Sequence, residues 1–176
     1  MATPAEPVAA ADLTAVEAQL GRAPRGTRAV GHRCPCGLPD VVVTEPRLPD
    51  GTPFPTTYYL TCPRVASLIG TLEGSGLMRE MEARLGEDPA LATAYADAHR
   101  AYLAARAELG DVPEIDRVSA GGMPDRVKCL HALAGHALAA GPGVNPIGDR
   151  AVAEMGEWWA AGPCAQPSPD DPEDVR

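Results

Sequence analysis

The chain lacks any run of roughly 18 uninterrupted apolar residues, the length a membrane-spanning helix needs. Its start, MATPAEPVAAADL, has no basic segment ahead of an apolar one, so neither a membrane span nor an export signal is expected. A soluble, cytoplasmic protein is the expectation, with no membrane partner. A basic surplus is missing too: 15 Lys and Arg stand against 24 Asp and Glu, a formal charge of −9. Holding nucleic acid through phosphate contacts needs a strongly basic face, so nucleic acid is not an expected partner. Cysteines are few and odd in number, five at irregular spacing. In a reducing cytosol that count favours metal binding, redox chemistry or plain burial over a disulfide framework. None is needed as a staple, because 176 residues can bury about two-thirds of their unfolded surface unaided.

What is present divides the chain in three. Residues 1–21 read as a leader and a short helix in which Leu13, Val16 and Leu20 recur at helical spacing, with Asp12 as its cap and Gly21 as its stop. Residues 22–160 read as one α+β domain: a small antiparallel β-sheet in the N-terminal half packed on a mainly α-helical C-terminal half. Its strands are expected at Thr27–Arg33, Val41–Thr44 and Thr57–Thr61, where β-favouring residues lie between Gly- and Pro-rich stretches. Helical periodicity begins at Pro63 and breaks at Gly74 and Gly76. It resumes over Leu77–Leu85 and then from Asp88–Pro89 to Gly110, with Leu91, Tyr95, Ala98, Tyr102, Ala105 and Leu109 on one stripe. Further helices are expected over Pro124–Ala140 and Asp149–Ala160, with Asn145 and Asp149 serving the helix start and its cap. Residues 161–176, AGPCAQPSPDDPEDVR, are rich in proline and acid and read as a disordered acidic tail. There is no internal repeat.

The chemistry centres on thiols. Cys34 ends a strand in RCPCG, Cys62 joins a strand to a helix, and Cys129 lies in the expected Pro124 helix. Pro63 suits a first helical position and leaves Cys62 at the cap, where unpaired amides and the helix dipole favour a thiolate. Cys34 and Cys36 have one intervening residue, not the two to four of a zinc knuckle. On a helix starting at Pro124, Cys129 and His136 share a face about 10 Å apart, which suits His136 to a supporting role. A later start would let His131 join Cys129 as a direct ligand. One expected centre therefore gathers Cys34, Cys62 and Cys129, completed by His131 or Cys36 and holding Zn²⁺ or an iron–sulfur cluster. Simple burial of these thiols is the competing account. A second constellation, SAGGMPDRVKCLH, places Gly121–Gly122 before a helix flanked by Arg126 and Lys128. That could cradle a small anionic ligand together with His136, although turn geometry is the commoner reason for paired glycines.

The strings RCPCGLPDVVVTEPRLPDGTPFPTTYYLTCP, LEGSGLM and GGMPDRVKCLHALAGHALAAGPGVNPIGD resemble the bacterial domain-of-unknown-function family 501, common in actinobacteria, over about residues 21–150. The resemblance implies that Cys34, Pro53–Thr56, Cys62, Lys128–His131, His136 and Asn145–Pro146 belong to the shared pattern. Cys36 and Cys164 fall outside it, which shifts weight toward a site that uses histidine. It implies no reaction and no protein partner. Members are encoded beside a septum-formation initiator and an exopolyphosphatase-like protein, an association with division or phosphate metabolism. The expected function is cytoplasmic metal binding. The alternatives are a small enzyme using a thiolate or a metal-bound water on an anionic substrate, and an interaction module linked to cell division.

Overall fold

Val41, Val42 and Val43 form the middle of a strand, β3 (Pro39–Thr44), that is buried at every position, so both faces of the sheet are covered there. β-branched side chains suit such a position because they pack well on a pleated surface. The computed structural model describes residues 5–165. Around β3 stand β1 (Glu6–Pro7), β2 (Thr27–Arg33) and β4 (Tyr58–Leu60), in the order β1-β2-β3-β4 with every pair antiparallel. The sheet therefore includes a short edge strand, β1, ahead of the first helix, which the sequence reading assigned to a leader. Helix α1 (Ala10–Leu20) and helix α5 (Leu130–Ala140) both pack against β3. Asp12 does not cap α1. It lies in the first turn and reaches back to accept from the Ala9 amide at 3.1 Å.

The helical half comprises α2 (Pro63–Gly74), α3 (Leu77–Glu87), α4 (Pro89–Ala107), α5 and α6 (Pro146–Met155), with one 3-10 turn at Pro113–Ile115. Asp88 caps α4, its Oδ1 accepting from the amides of Ala90 at 3.0 Å and Leu91 at 3.1 Å. Further along α4, two side chains hold the proline-rich connection between β3 and β4. Tyr102 accepts from the Thr57 amide at 2.6 Å and donates to the Pro55 carbonyl at 3.0 Å. Arg106, only 4% exposed, donates to the carbonyls of Pro55, Ile115 and Val118. The antiparallel sheet on a helical half is the α+β architecture expected.

Two helices start elsewhere than their periodicity indicates. Residues 124–128 are not helical, because Gly121 and Gly122 take positive φ of 68° and 96° and fold the loop back on itself. The Gly121 carbonyl accepts from the Lys128 amide at 2.7 Å and the Cys129 amide at 3.3 Å, so α5 begins only at Leu130 with Cys129 as its N-cap. Helix α6 begins three residues early, because Asn145 is its cap: Oδ1 accepts from Gly148 N at 2.9 Å. Gly148 is where α6 crosses α5, and a Cβ there would stand 2.1 Å from the Leu133 carbonyl oxygen.

Ala161, Gly162 and Pro163 lie against α2, where their carbonyls accept from Arg64. The rest of the expected tail, 166–176, is outside the described residues, as are residues 1–4. No described helix is long and apolar enough to cross a membrane.

Candidate metal centre at the start of α5

The late start of α5 decides the site. With Cys129 in extended conformation at the cap and His131 in the first turn, both side chains turn toward the C-terminal end of α2, where Glu73 is the penultimate residue. Glu73 Oε1 accepts from the Leu130 amide at 2.7 Å and lies 3.1 Å from His131 Nδ1. The carboxylate thus occupies an amide that a helix start leaves unpaired, where negative charge is favoured. His131 Nε2 sits 3.1 Å from the Ala66 carbonyl, two turns earlier on α2. One helix therefore engages both nitrogens of the ring.

Glu73, Cys129 and His131 each offer a ligand atom, and these atoms lie within 4.8 Å of one another; among the described residues no other group of three or more His, Cys, Asp or Glu does so. The His131 side chain is 35% exposed and that of Glu73 24%, so the cluster is partly open. Cys129 and His131 line a cleft of about 520 Å³ together with Tyr58, Tyr59, Leu60 and Pro63. The histidine is held charged by both neighbours, whereas Glu73 opposes the Cys129 thiolate. His131 and the Ala132 amide lower the Cys129 thiol against burial, and Cys129 with Glu73 pushes His131 up to about 9.

The remaining expected ligands are elsewhere. Cys34 and Cys36 stand together in the turn after β2, where burial pushes the Cys34 thiol up to about 11. Cys62 does cap α2, but it is fully buried, and desolvation pushes its thiol up to about 12. The expectation that the cap would make Cys62 a thiolate is corrected: loss of water outweighs the dipole of a helix end. Its neighbour is Cys164, whose sulfur also accepts from Gln19 Nε2 at 3.2 Å. A single centre joining Cys34, Cys36, Cys62 and Cys129 is therefore not formed, and the four-cysteine cluster falls with it.

The expected anion cradle is likewise not formed. No helix starts at Gly121–Gly122, and a Cβ on Gly122 would meet the Arg126 carbonyl at 2.7 Å, so the glycines answer to the turn. Arg126 faces Glu82 at 3.8 Å, Lys128 is exposed, and His136 is buried on α5 against Asn145, Tyr58 and Tyr102. His136 does not share a face with Cys129, because Cys129 precedes the helix. Sequence reading missed Glu73. Its one signal is that Ala66 and Glu73, seven residues apart, lie on one face of α2. Among the described residues the exposed large apolar side chains are Leu13 on α1, Leu68 on α2 and Val118 after the 3-10 turn.

Fold and site together define a small α+β domain with a Cys–His–Glu cluster at the mouth of a cleft. The chain belongs to the family described as "Protein of unknown function (DUF501)", whose model matches residues 30–153. No curated protein and no solved structure shows a significant match.

Proposed function

We propose that the protein binds one divalent transition-metal ion, Zn²⁺ first among them, through Cys129, His131 and Glu73, and presents a remaining position to the adjoining cleft. The observation that carries this reading is the pose of His131. A metal-bound histidine usually donates its other ring N–H to a carbonyl or carboxylate, and Nε2 faces the Ala66 carbonyl, which leaves Nδ1 beside Glu73 and Cys129. Two ligands at ~2.0 Å on a tetrahedral ion stand about 3.3 Å apart, close to the 3.1 Å between His131 Nδ1 and Glu73 Oε1. Three protein ligands plus an open position are the pattern of catalytic zinc sites, whereas structural sites are closed by four. The reading is therefore of a centre that acts on something in the cleft. A cytoplasmic setting suits it, since a thiolate ligand has to stay reduced.

The second reading is a metal-free nucleophile. Both nitrogens of His131 face acceptors, which is the geometry of an imidazolium, and an imidazolium beside Cys129 would hold a thiolate at the mouth of the cleft. Elemental analysis of protein purified without chelator separates the two. About one equivalent of metal, lost in Cys129→Ser and in His131→Asn, supports the centre. Folded, metal-free protein that binds no added Zn²⁺ and is alkylated at Cys129 supports the nucleophile.

A further inference from the structure

Arg22, Arg25 and Arg28 stand close together in sequence with no acid between them, in a chain whose formal charge is −9. Their segment runs from the end of α1 into β2. Arg25 donates to Asp50 at 2.5 Å, and Arg28 faces Glu45 at 3.6 Å. Arg22 is exposed, and its one hydrogen bond among the described residues goes to the neighbouring Ala23 carbonyl at 3.4 Å. Arg22 and Arg25 stand on the lining of a cleft of about 170 Å³ whose other side chains are uncharged, among them Leu20, Leu48, Phe54 and Tyr59. The rings of Phe54 and Tyr59 have centroids 6.3 Å apart and are tilted by 40°. The space suits one small ring, since a cavity of ~150 Å³ admits benzene. Aromatic-lined grooves are surfaces on which proline-rich segments dock, because a polyproline II chain has little order left to gain.

The chain carries such a segment and brings it to this side of the molecule. Cys164 Sγ accepts from Gln19 Nε2 at 3.2 Å, and Gln19 directly precedes Leu20 at the end of α1. Arg64 donates to the carbonyls of Gly162 and Pro163, which fixes where the chain passes beyond the described residues. Asp170 follows Cys164 by six residues, a length of extended chain that spans up to about 20 Å. Asp170, Asp171, Glu173 and Asp174 supply four carboxylates in close succession. Pro169 and Pro172 are three residues apart, which is one turn of a polyproline II helix, so in that form one face carries prolines and the others carry acids.

We propose that the chain's own segment 167–174 docks on this cleft, a proline ring of Pro169 or Pro172 lying against Phe54 and Tyr59 and the carboxylates lying against Arg22 and Arg25. Charge complementarity selects the occupant: four acids meet the arginine side of a cleft with no acid on its lining. Attachment through a short connection adds to it, because tethering holds the segment at an effective concentration in the millimolar range. Leu20 and Tyr59 also line the cleft at Cys129, so the docked segment lies beside that cleft without depending on any metal there.

Phe54 is the chain's one phenylalanine, so its ring protons report on the cleft without overlap. In full-length protein with isotope-labelled phenylalanine at low salt, nuclear Overhauser contacts are expected from that ring to Pro169 or Pro172. They should persist on about tenfold dilution, as an intramolecular contact does, and fade at about 1 M NaCl, where the screening length falls to about 3 Å. Neutralising the acids together, by Asp170→Asn, Asp171→Asn, Glu173→Gln and Asp174→Asn, should lower the contacts at least about threefold while leaving the signals of α2 to α6 in place. Arg22→Glu should do the same, and Pro169→Ala combined with Pro172→Ala should remove the contacts. Four results would overturn the proposal: no contact between Phe54 and the segment, contacts unchanged by Arg22→Glu and by neutralising the acids, contacts to the His131 ring in place of Phe54, or contacts that vanish on dilution and so belong to a second copy.

Discussion

Glu73 Oε1 stands between the Leu130 amide, at 2.7 Å, and His131 Nδ1, at 3.1 Å, so one carboxylate on α2 both closes the start of α5 and polarises the histidine beside Cys129. The same atom has a structural and a chemical duty, and substitution can separate them. Glu73→Gln keeps an acceptor for Leu130 but removes the charge. It should leave thermal stability within about 1 kcal/mol while weakening Zn²⁺ at least about tenfold in a competition titration. Glu73→Ala should lose the metal and also about 1–2 kcal/mol of stability, the usual worth of a helix cap.

Thiol reactivity should follow the order of burial and local charge. Cys129, at the cleft and lowered by His131, is expected to be the first cysteine alkylated by iodoacetamide at pH 7 in metal-free protein. Cys62, fully buried and pushed up to about 12, should be among the last. Peptide mapping over a time course checks the order, and added Zn²⁺ should protect Cys129 selectively.

The place of Cys129 also shows what local sequence signals can and cannot carry. Asp88 before Pro89, and Gly and Pro around the valine run, act on their own neighbours, so α4 and the three longer strands were legible in the sequence within two residues. The start of α5 was not, because Gly121 and Gly122 override a helical apolar pattern through a backbone turn whose closure depends on atoms up to eight residues away. That displacement brings His131 to Cys129 and sends His136 to Asn145. Glu73 was invisible for a different reason: an acid near a helix end reads as solvated until a second helix starts against it. Cys62 misled because its cap position was legible and its burial was not.

His136 predicts an acid limb in the stability curve. It faces Tyr58 on β4, Tyr102 on α4 and Asn145 at the cap of α6, with Glu108 on the lining of a cleft it borders. Its folded value, about 4, lies below the ~6.5 of an unfolded histidine, so the unfolded chain binds the extra proton. Stability from this group is complete above about pH 6.5 and declines as pH falls toward 4, by roughly 3 kcal/mol in all. Denaturant melts from pH 7 to 4 should show this slope. In a His136→Gln variant, lower in overall stability, the portion belonging to this residue should vanish.

Arg106 is a buried cation whose partners are the carbonyls of Pro55, Ile115 and Val118. Arg106→Met fills similar volume but leaves those acceptors unpaired, and should cost about 2–4 kcal/mol. Lysine has no planar fork to reach three carbonyls, so Arg106→Lys should recover little of the loss. Thermal melts compare the two.

Gly148→Ala tests the crossing of α5 and α6. An added methyl at 2.1 Å from the Leu133 carbonyl cannot be absorbed by a rotamer change, because the obstacle is backbone. A loss of about 2–3 kcal/mol or more is expected by denaturant titration, despite alanine's better helix propensity.

The centre itself is tested most directly by absorption spectroscopy of the chelator-treated, reduced protein titrated with Co²⁺. Binding through Cys129 predicts a thiolate-to-cobalt charge-transfer band in the near ultraviolet that saturates at one equivalent. The band should disappear in Cys129→Ser, and binding should be weakened in His131→Asn and Glu73→Gln. A full-length protein that develops no band, or one whose band survives Cys129→Ser unchanged, would contradict the assignment.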